Sequence, residues 1–147
     1  SFDISPLLFV PLTIFVIIST ANAINFTDGL DGLAGIISAS AFAAYGVISF
    51  LQGQIFLTQL SFIMVGAAFA FLWYNSHPAQ LFMGDTGSMA LGGTLGIIAM
   101  MTGQWLLLPI IAIVPVAESI TVVLQILYFK WTKGQRLFCI SPLHNNF

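Results

Sequence analysis

The chain has 147 residues, of which 59% are hydrophobic and only 5% are charged, and its formal net charge is −2. A soluble domain carries about 25% charged residues, so this composition excludes a water-facing globular surface and indicates a protein whose solvent is lipid. The only basic residues, Lys130, Lys133 and Arg136, lie near the carboxyl end, and the one cysteine is Cys139. The sequence therefore supports neither nucleic-acid binding nor a disulfide framework.

Five apolar runs have about the length of a membrane-spanning helix, which takes roughly 20 residues to cross a hydrocarbon core. They cover Leu7–Ile24, Leu33–Leu51, Ile55–Tyr74, Ser88–Thr102 and Trp105–Phe129. The backbone must satisfy its own hydrogen bonds in lipid, so we expect helices rather than open strands. The predicted fold is therefore all-α: a polytopic transmembrane helical protein with about five membrane helices, in a single transmembrane domain over residues 1–147.

Prolines, glycines and one acid modify these helices. A proline removes a helix hydrogen bond, which predicts kinks or breaks at Pro11, Pro109 and Pro115. Small residues permit close helix packing, which predicts a contact face on the fourth run at Gly92, Gly93 and Gly96. A charge in mid-membrane is costly, so the helix face that carries Glu118 and Gln125 should look at protein or at a wet cleft.

The connectors between the runs are of two kinds. Gln52–Gln54 and Thr102–Gln104 are minimal polar turns, whereas Asn22–Gly32, Asn75–Gly87 and Lys130–Phe147 are rich in functional groups. Alternating spans place the three rich connectors on one side of the membrane and the two turns on the other. All three basic residues fall in the rich set, so the positive-inside rule predicts that this side is cytoplasmic.

The first rich connector carries two carboxylates three residues apart, Asp28 and Asp31, which one helical turn would bring to the same side. Gly29 and Gly32 would let a ligand approach the backbone closely. The alternative is helix capping by Thr27 or Asp28 at the start of the second run. Capping accounts for one acid, but not for two acids, two asparagines and two glycines within eleven residues, and this favours a functional site.

The second rich connector ends in Gly84-Asp85-Thr86-Gly87, immediately before Ser88 and the fourth run. Amides at a helix start, together with the Thr86 and Ser88 hydroxyls, form a natural phosphate cradle. Asp85 beside such a cradle would suit Mg²⁺, which binds through one or two carboxylates plus substrate phosphates. The alternative is again a helix cap, and a second acidic connector on the same side weakens it.

Three further residues on this side carry weaker signals. Phe82 could stack on a nucleobase, although an aromatic residue near the interface is more often a membrane anchor. His77 precedes a proline and is interpreted as an ordinary loop histidine. His144, in the third rich connector with the basic residues, is a candidate ligand for a phosphate or a sugar.

These motifs resemble one family. The segment Asn25-Phe-Thr-Asp-Gly-Leu-Asp-Gly-Leu-Ala34 is similar to the first signature of the phospho-N-acetylmuramoyl-pentapeptide transferase family, and Phe82-Met-Gly-Asp-Thr-Gly-Ser-Met-Ala-Leu-Gly-Gly93 is similar to the second. Pro142-Leu-His144 with Phe147 resembles the third, although the family's histidine run is reduced here to His144-Asn145-Asn146. The resemblance implies a ten-helix enzyme, of which this segment would hold the fifth to the ninth helix.

The resemblance also implies the reaction, the cofactor and the location. Members transfer the phospho-sugar pentapeptide of UDP-MurNAc-pentapeptide to undecaprenyl phosphate, giving lipid I and UMP with Mg²⁺ as cofactor, in peptidoglycan synthesis. The expected setting is the bacterial cytoplasmic membrane, crossed several times, with the active site on the cytoplasmic side and a homodimer as an open alternative to a monomer. Direct attack by the lipid phosphate and a covalent aspartyl intermediate both stay open.

By the same resemblance, particular residues receive roles. The expected metal ligand is Asp85, and the expected catalytic residues are Asn25, Asp28, Asp85 and His144. The residues expected to border the uridine pocket are Gly29, Leu30, Asp31 and Phe82. The other expected substrate-binding residues are Asn75, in the cleft, and Ser88, in the phosphate cradle. The family's adjacent aspartate pair and catalytic lysine are expected in an amino-terminal half that precedes this segment.

Three other functions stay open. A related polyprenyl-phosphate N-acetylhexosamine-1-phosphate transferase would share the Asp-Gly-x-Asp-Gly and Gly-Asp motifs, but the residues at Asn25–Thr27 and Met83–Ser88 favour the muramoyl family. A transporter with broken helices around a buried acid would fit Glu118 and the prolines, but would not require two glycine-acid connectors on one side. The third is a chain that folds without catalysing a reaction.

Overall fold

The helices follow the apolar runs in the computed structural model, which describes residues 6–131; residues 1–5 and 132–147 lie outside the described part. In chain order the elements are α1 (Pro6–Thr27), α2 (Leu33–Leu51), α3 (Ile55–Asn75), α4 (Gly84–Met101), a 3-10 turn (Trp105–Leu107), α5 (Leu108–Ile111) and α6 (Ile113–Trp131). The described residues contain no strand, which confirms the all-α prediction.

Four of these helices are long and apolar enough to cross a membrane: α1 from Leu7 onward, α2, α3 and α6. A multi-pass membrane protein is therefore confirmed, with four such helices among residues 6–131 instead of about five. The exception is α4, which has 18 residues but begins with the polar turn Gly84-Asp85-Thr86. Those polar residues and the glycines that follow lower the hydropathy of α4.

The two connectors that carry the acids are shorter than predicted, because polar residues at the helix ends stay helical. Helix α1 continues to Thr27, and α4 begins at Gly84, earlier than the apolar run suggested. Thr27 Oγ1 donates a hydrogen bond to the Ala23 carbonyl at 2.9 Å, so its polar group is satisfied within the helix. The first connector is therefore Asp28–Gly32 and the second is residues 76–83.

The fifth apolar run, predicted as a membrane span over Trp105–Phe129 with kinks or breaks at its prolines, is divided into three helical segments. After the 3-10 turn and α5, Ala112 leaves the helical region with φ −103° and ψ 42°. Pro109 lies in the first turn of α5 and Pro115 in the first turn of α6, where the missing N–H has no helical partner to lose. The predicted break near these two prolines is confirmed, whereas α1 stays continuous through Pro11.

Helices α1 and α4 pack antiparallel, at a distance set by two glycines. A Cβ atom added to Gly92 would lie 2.6 Å from the Cα of Ala21, and one added to Gly96 would lie 3.0 Å from the Cα of Ile17. Ile17 precedes Ala21 by four residues in α1, and Gly96 follows Gly92 by four residues in α4. The same face of each helix therefore stays in contact over about one turn. Gly93 has nothing within 4 Å among the described residues, so only Gly92 and Gly96 form the predicted contact face.

The other helices pack around this pair. Helices α2 and α3 form an antiparallel hairpin across the turn at Gln52–Gln54, and α6 packs along α1. The largest side chains of the shared core, all fully buried, come from α1, α2 and α4: Ile24, Phe42, Tyr45, Leu95 and Ile98. Because neighbouring helices run in opposite directions, the connectors Asp28–Gly32 and 76–83 lie at one end of the bundle, as predicted.

The close contact predicts that Gly92→Ala destabilises the protein. The new Cβ would meet the backbone of Ala21 and Thr20, which cannot rotate away, so the helices must separate. We expect a loss of about 1–3 kcal/mol, the usual cost of overpacking. The measurement is the midpoint of SDS-induced or thermal unfolding of the full-length protein in detergent.

Gly93→Ala is the matched control, because its Cβ enters open space on the next position of the same helix. Alanine favours a helix over glycine by up to about 1 kcal/mol, so this variant should be neutral or slightly stabilised. Equal destabilisation of both variants would contradict the proposed packing.

Candidate active site

The carboxyl end of α1 meets the amino end of α4 through the side chain of Asn25. Its Nδ2 atom donates one hydrogen bond to Asp85 Oδ1 at 3.1 Å and another to Ser88 Oγ at 2.9 Å. Asn25 lies about one helical turn after Ala21, and Ser88 lies about one turn before Gly92. Their contact therefore continues the close helix packing at Gly92. The two signature motifs, about 60 residues apart in sequence, are thereby joined directly.

Asp85 is an exposed acid in the first turn of α4, and it does not cap that helix. The N-cap residue is Met83, which makes no side-chain cap hydrogen bond, so the capping alternative is wrong here. A negative charge at this position interacts favourably with the helix dipole. The Asp85 carboxylate is therefore oriented by Asn25 and remains open to a ligand.

Ser88, whose hydroxyl was predicted to form part of the phosphate cradle, is fully buried. Its Oγ accepts the hydrogen bond from Asn25 and lies 3.1 Å and 3.2 Å from the carbonyl oxygens of Gly84 and Asp85, to which it can donate. In this structure Ser88 thus supports Asn25, and the hydroxyl that is exposed at the start of α4 is that of Thr86.

Asp28 follows α1 directly and is half-buried. Burial raises the pKa of Asp28 above its ordinary value, and the negative charge of Asp85 raises it further. The two carboxylates, one from each signature motif, are therefore close enough to repel each other. A bound cation would relieve that repulsion.

The acids of this site are ligands of the type that Mg²⁺ prefers. Within residues 6–131, no group of three or more His, Cys, Asp or Glu side chains is placed to hold a metal ion. Mg²⁺ usually keeps several waters and binds through one or two carboxylates plus substrate phosphates. Asp28 and Asp85 are the two carboxylates that this site would offer.

Asn75 joins the two connectors from the end of α3. It is only 4% exposed; its Oδ1 accepts the N–H of Gly32 at 2.8 Å, and its Nδ2 donates to the Leu81 carbonyl at 2.7 Å. Both ends of this amide are used by the backbone, so Asn75 shapes the connectors. Gly32, with φ 77°, is the N-cap of α2, so neither Thr27 nor Asp28 caps that helix and this capping alternative is also wrong.

Asp31 joins the same two connectors at their exposed edge. Its Oδ2 lies 3.2 Å from His77 Nδ1 and accepts the N–H of Ala79 at 3.2 Å. The sequence interpretation of His77 as an ordinary loop histidine missed this contact. The one sequence signal for it was that both connectors were predicted on the same side of the membrane.

The remaining predicted site residues lie along two separate clefts. Leu30 and Asp31 line an open cleft of about 590 Å³ together with His77, and Phe82 lines another of about 390 Å³ between α3 and α4. Phe82 is 74% exposed, and Gly29 is exposed between the acids. A single uridine pocket that includes both Phe82 and Asp31 stays a prediction.

Other predicted features lie away from this site or outside the described residues. Glu118 is 4% exposed in α6, which agrees with its expected orientation toward protein. His144, Lys133, Arg136 and Cys139 all fall outside the described residues.

The raised pKa predicts how Asp28 titrates. In Asp85→Asn the pKa of Asp28 should fall, yet stay above the ordinary value, because burial is the larger cause. The folded protein holds this proton more tightly than the unfolded chain, so the Asp28 contribution to stability is present at low pH and is lost as pH rises through its pKa. Infrared titration of the protonated carboxyl band without divalent cations measures the shift, and Asp28→Asn assigns the band. An unchanged pKa in Asp85→Asn would contradict the pairing.

The chain is similar in sequence to a known family and to several curated proteins. Residues 1–103 match the family model of glycosyl transferase family 4. A phospho-N-acetylmuramoyl-pentapeptide-transferase of Chloroflexus aurantiacus is 51% identical over 147 residues, which covers 95% of this chain and 40% of that relative. Proteins of the same name from Listeria welshimeri and Wolbachia pipientis wMel are 45% and 42% identical, again over 95% of this chain, and it covers 43% and 45% of them. The chain spans less than half of the length of these curated relatives.

Proposed function

The chain belongs to glycosyl transferase family 4, and from this premise we propose that it is part of a membrane-bound phospho-sugar transferase. The proposed reaction transfers phospho-MurNAc-pentapeptide from UDP-MurNAc-pentapeptide to undecaprenyl phosphate and gives lipid I and UMP. The names of its curated relatives support this reaction. Because the chain covers only 40% of the Chloroflexus aurantiacus relative, the activity is proposed for the whole protein, not for this segment alone.

The observation that carries the proposal is the hydrogen bond from Asn25 to Asp85. It brings two acidic motifs together at a helix start, where a diphosphate would be attracted by the dipole and the free amides. A transporter would have no need of this arrangement, and the family match does not favour it. The names of the relatives likewise favour the muramoyl reaction over the related N-acetylhexosamine-1-phosphate transfer.

Each residue of this centre has a distinct part in the proposed reaction. Asp85 and Asp28 would hold Mg²⁺, whose charge would offset the negative charge spread over the diphosphate in the transition state. Asn25 fixes the direction of the Asp85 carboxylate, and Ser88 fixes Asn25. Thr86 is exposed at the start of α4, and its hydroxyl would donate to a phosphate oxygen there.

The nucleotide side of the substrate would lie along the exposed edge of the connectors. Leu30 and Phe82 present apolar surface in the two separate clefts beside the connectors, and Asp31 presents a carboxylate that can accept hydrogen bonds. We assign Gly29 to the same region because it lies in the connector between Asp28 and Leu30. His144 remains a proposed contributor to phosphate or sugar binding.

The proposed test of the centre is Asp85→Asn in the full-length protein. This change removes one negative charge from a metal and diphosphate site, so turnover should fall on the order of 10²–10³-fold, the scale of losing one electrostatic stabiliser. Lipid I formation is measured over a range of Mg²⁺ concentrations, and the variant should also need more Mg²⁺.

The comparison variant is Asp31→Ala, which changes an acid in the Asp28–Gly32 connector instead of the acid at the start of α4. It should mainly weaken binding of UDP-MurNAc-pentapeptide or UMP while its maximal rate stays nearer to normal. Near-normal turnover of Asp85→Asn with unchanged Mg²⁺ dependence would show that the assignment of Asp85 is wrong.

The proposed location is the bacterial cytoplasmic membrane with the acidic connectors on the cytoplasmic side. Single cysteines at positions 53 and 86, in a Cys139→Ser background, test this orientation with an impermeant thiol reagent. Position 53 lies in the turn between α2 and α3, so it should be labelled from outside, and position 86 should be protected in intact cells. Equal external labelling of both positions would contradict the orientation.

A further inference from the structure

Asp31 is held from one side only. Both of its hydrogen-bond partners, His77 Nδ1 and the N–H of Ala79, lie 3.2 Å from the same atom, Oδ2. Within the described residues neither bond uses Oδ1, and the side chain is still 30% exposed. One oxygen of the carboxylate is therefore anchored, and the other can accept an N–H or O–H from a ligand.

The anchor is needed because Asp31 lies in a short connector that contains two glycines. Glycine permits many backbone conformations, so the connector by itself does not fix the direction of the carboxylate. The backbone of this connector is already tied to α3 by the bond from Gly32 to Asn75. What that bond leaves undetermined is the orientation of the Asp31 side chain.

His77 is suited to orient Asp31 and contributes little to the stability of the fold. Its side chain is 86% exposed, so an ion pair or hydrogen bond made there adds little to the stability of the fold. A carboxylate accepts and does not donate, so the Nδ1 atom that faces it carries the hydrogen. The contact directs a side chain without holding two helices together.

We propose that His77 is a positioning residue for substrate binding: it donates from Nδ1 to Asp31 Oδ2 and so holds the opposite oxygen toward the nucleotide of the sugar donor. This rests on the proposed function, in which Asp31 lies on the nucleotide side of the site. His77 itself does not contact the reacting phosphates. Its loss should weaken nucleotide binding and leave the chemical step nearly intact.

The experiment compares His77→Ala, His77→Asn and Asp31→Ala in the full-length protein. His77→Ala should raise the KM for UDP-MurNAc-pentapeptide and the Kd for UMP about tenfold, which corresponds to about 1.4 kcal/mol. Its kcat should change less than about threefold, under about 0.7 kcal/mol, because His77 does not contact the reacting phosphates. His77→Asn should restore most of the affinity, because the asparagine Nδ2 can donate from nearly the same position as the histidine Nδ1.

A double-mutant cycle separates positioning from a general effect on the loop. In an Asp31→Ala background, His77→Ala should have no further effect on the Kd for UMP, because its only proposed partner is gone. Gln80→Ala is the matched control, since Gln80 is an exposed polar residue of the same connector, and it should leave KM and Kd unchanged.

The proposal is overturned if His77→Ala lowers kcat at unchanged KM, if the two alanine effects add fully, or if His77→Asn is as weak as His77→Ala. Failure of the proposed function has a different signature: the unmodified protein would then neither bind UMP nor form lipid I. That result would overturn the role of His77 as well, because Asp31 would have no nucleotide to bind.

Discussion

The contact between α1 and α4 determines where Asn25, Asp85 and Ser88 meet. Gly92 and Gly96 let the α4 backbone approach that of α1, at Ala21 and Ile17 respectively, and no larger residue would fit at Gly92 without moving a backbone. Helical periodicity then carries the same face to Asn25, which reaches Asp85 and Ser88 from across the helix pair. A packing feature within the membrane-spanning bundle thus sets hydrogen-bond geometry at the end of that bundle.

This arrangement places two negative charges together at an electrostatic cost. Asp28 is half-buried beside Asp85, and its raised pKa is the direct consequence. A protein that needed only a helix cap would have no reason to retain such a pair, and the caps of α2 and α4 are Gly32 and Met83 instead. The proposed Mg²⁺ would compensate this negative charge and would at the same time bind the diphosphate of the substrate.

The second set of contacts acts on the connectors rather than on the helices. Asn75 is buried and binds backbone groups of both connectors, so its effect is on the shape of the loops. Asp31 and His77 lie further out, are more exposed, and affect one carboxylate. The proposed nucleotide side is therefore held by a buried inner contact and an exposed outer one, while the proposed metal side is held by helix packing.

The sequence by itself determined the all-α membrane class, the positions of α2 and α3, the two acidic motifs and the break near Pro109 and Pro115, because each follows from local composition or from a missing N–H. Only the tertiary structure decided which polar side chains meet. Asn25 and Ser88 act as a pair because α1 and α4 share a register, and His77 serves Asp31 because their connectors lie side by side. Register and loop proximity depend on contacts between residues more than 40 positions apart, which no local pattern encodes.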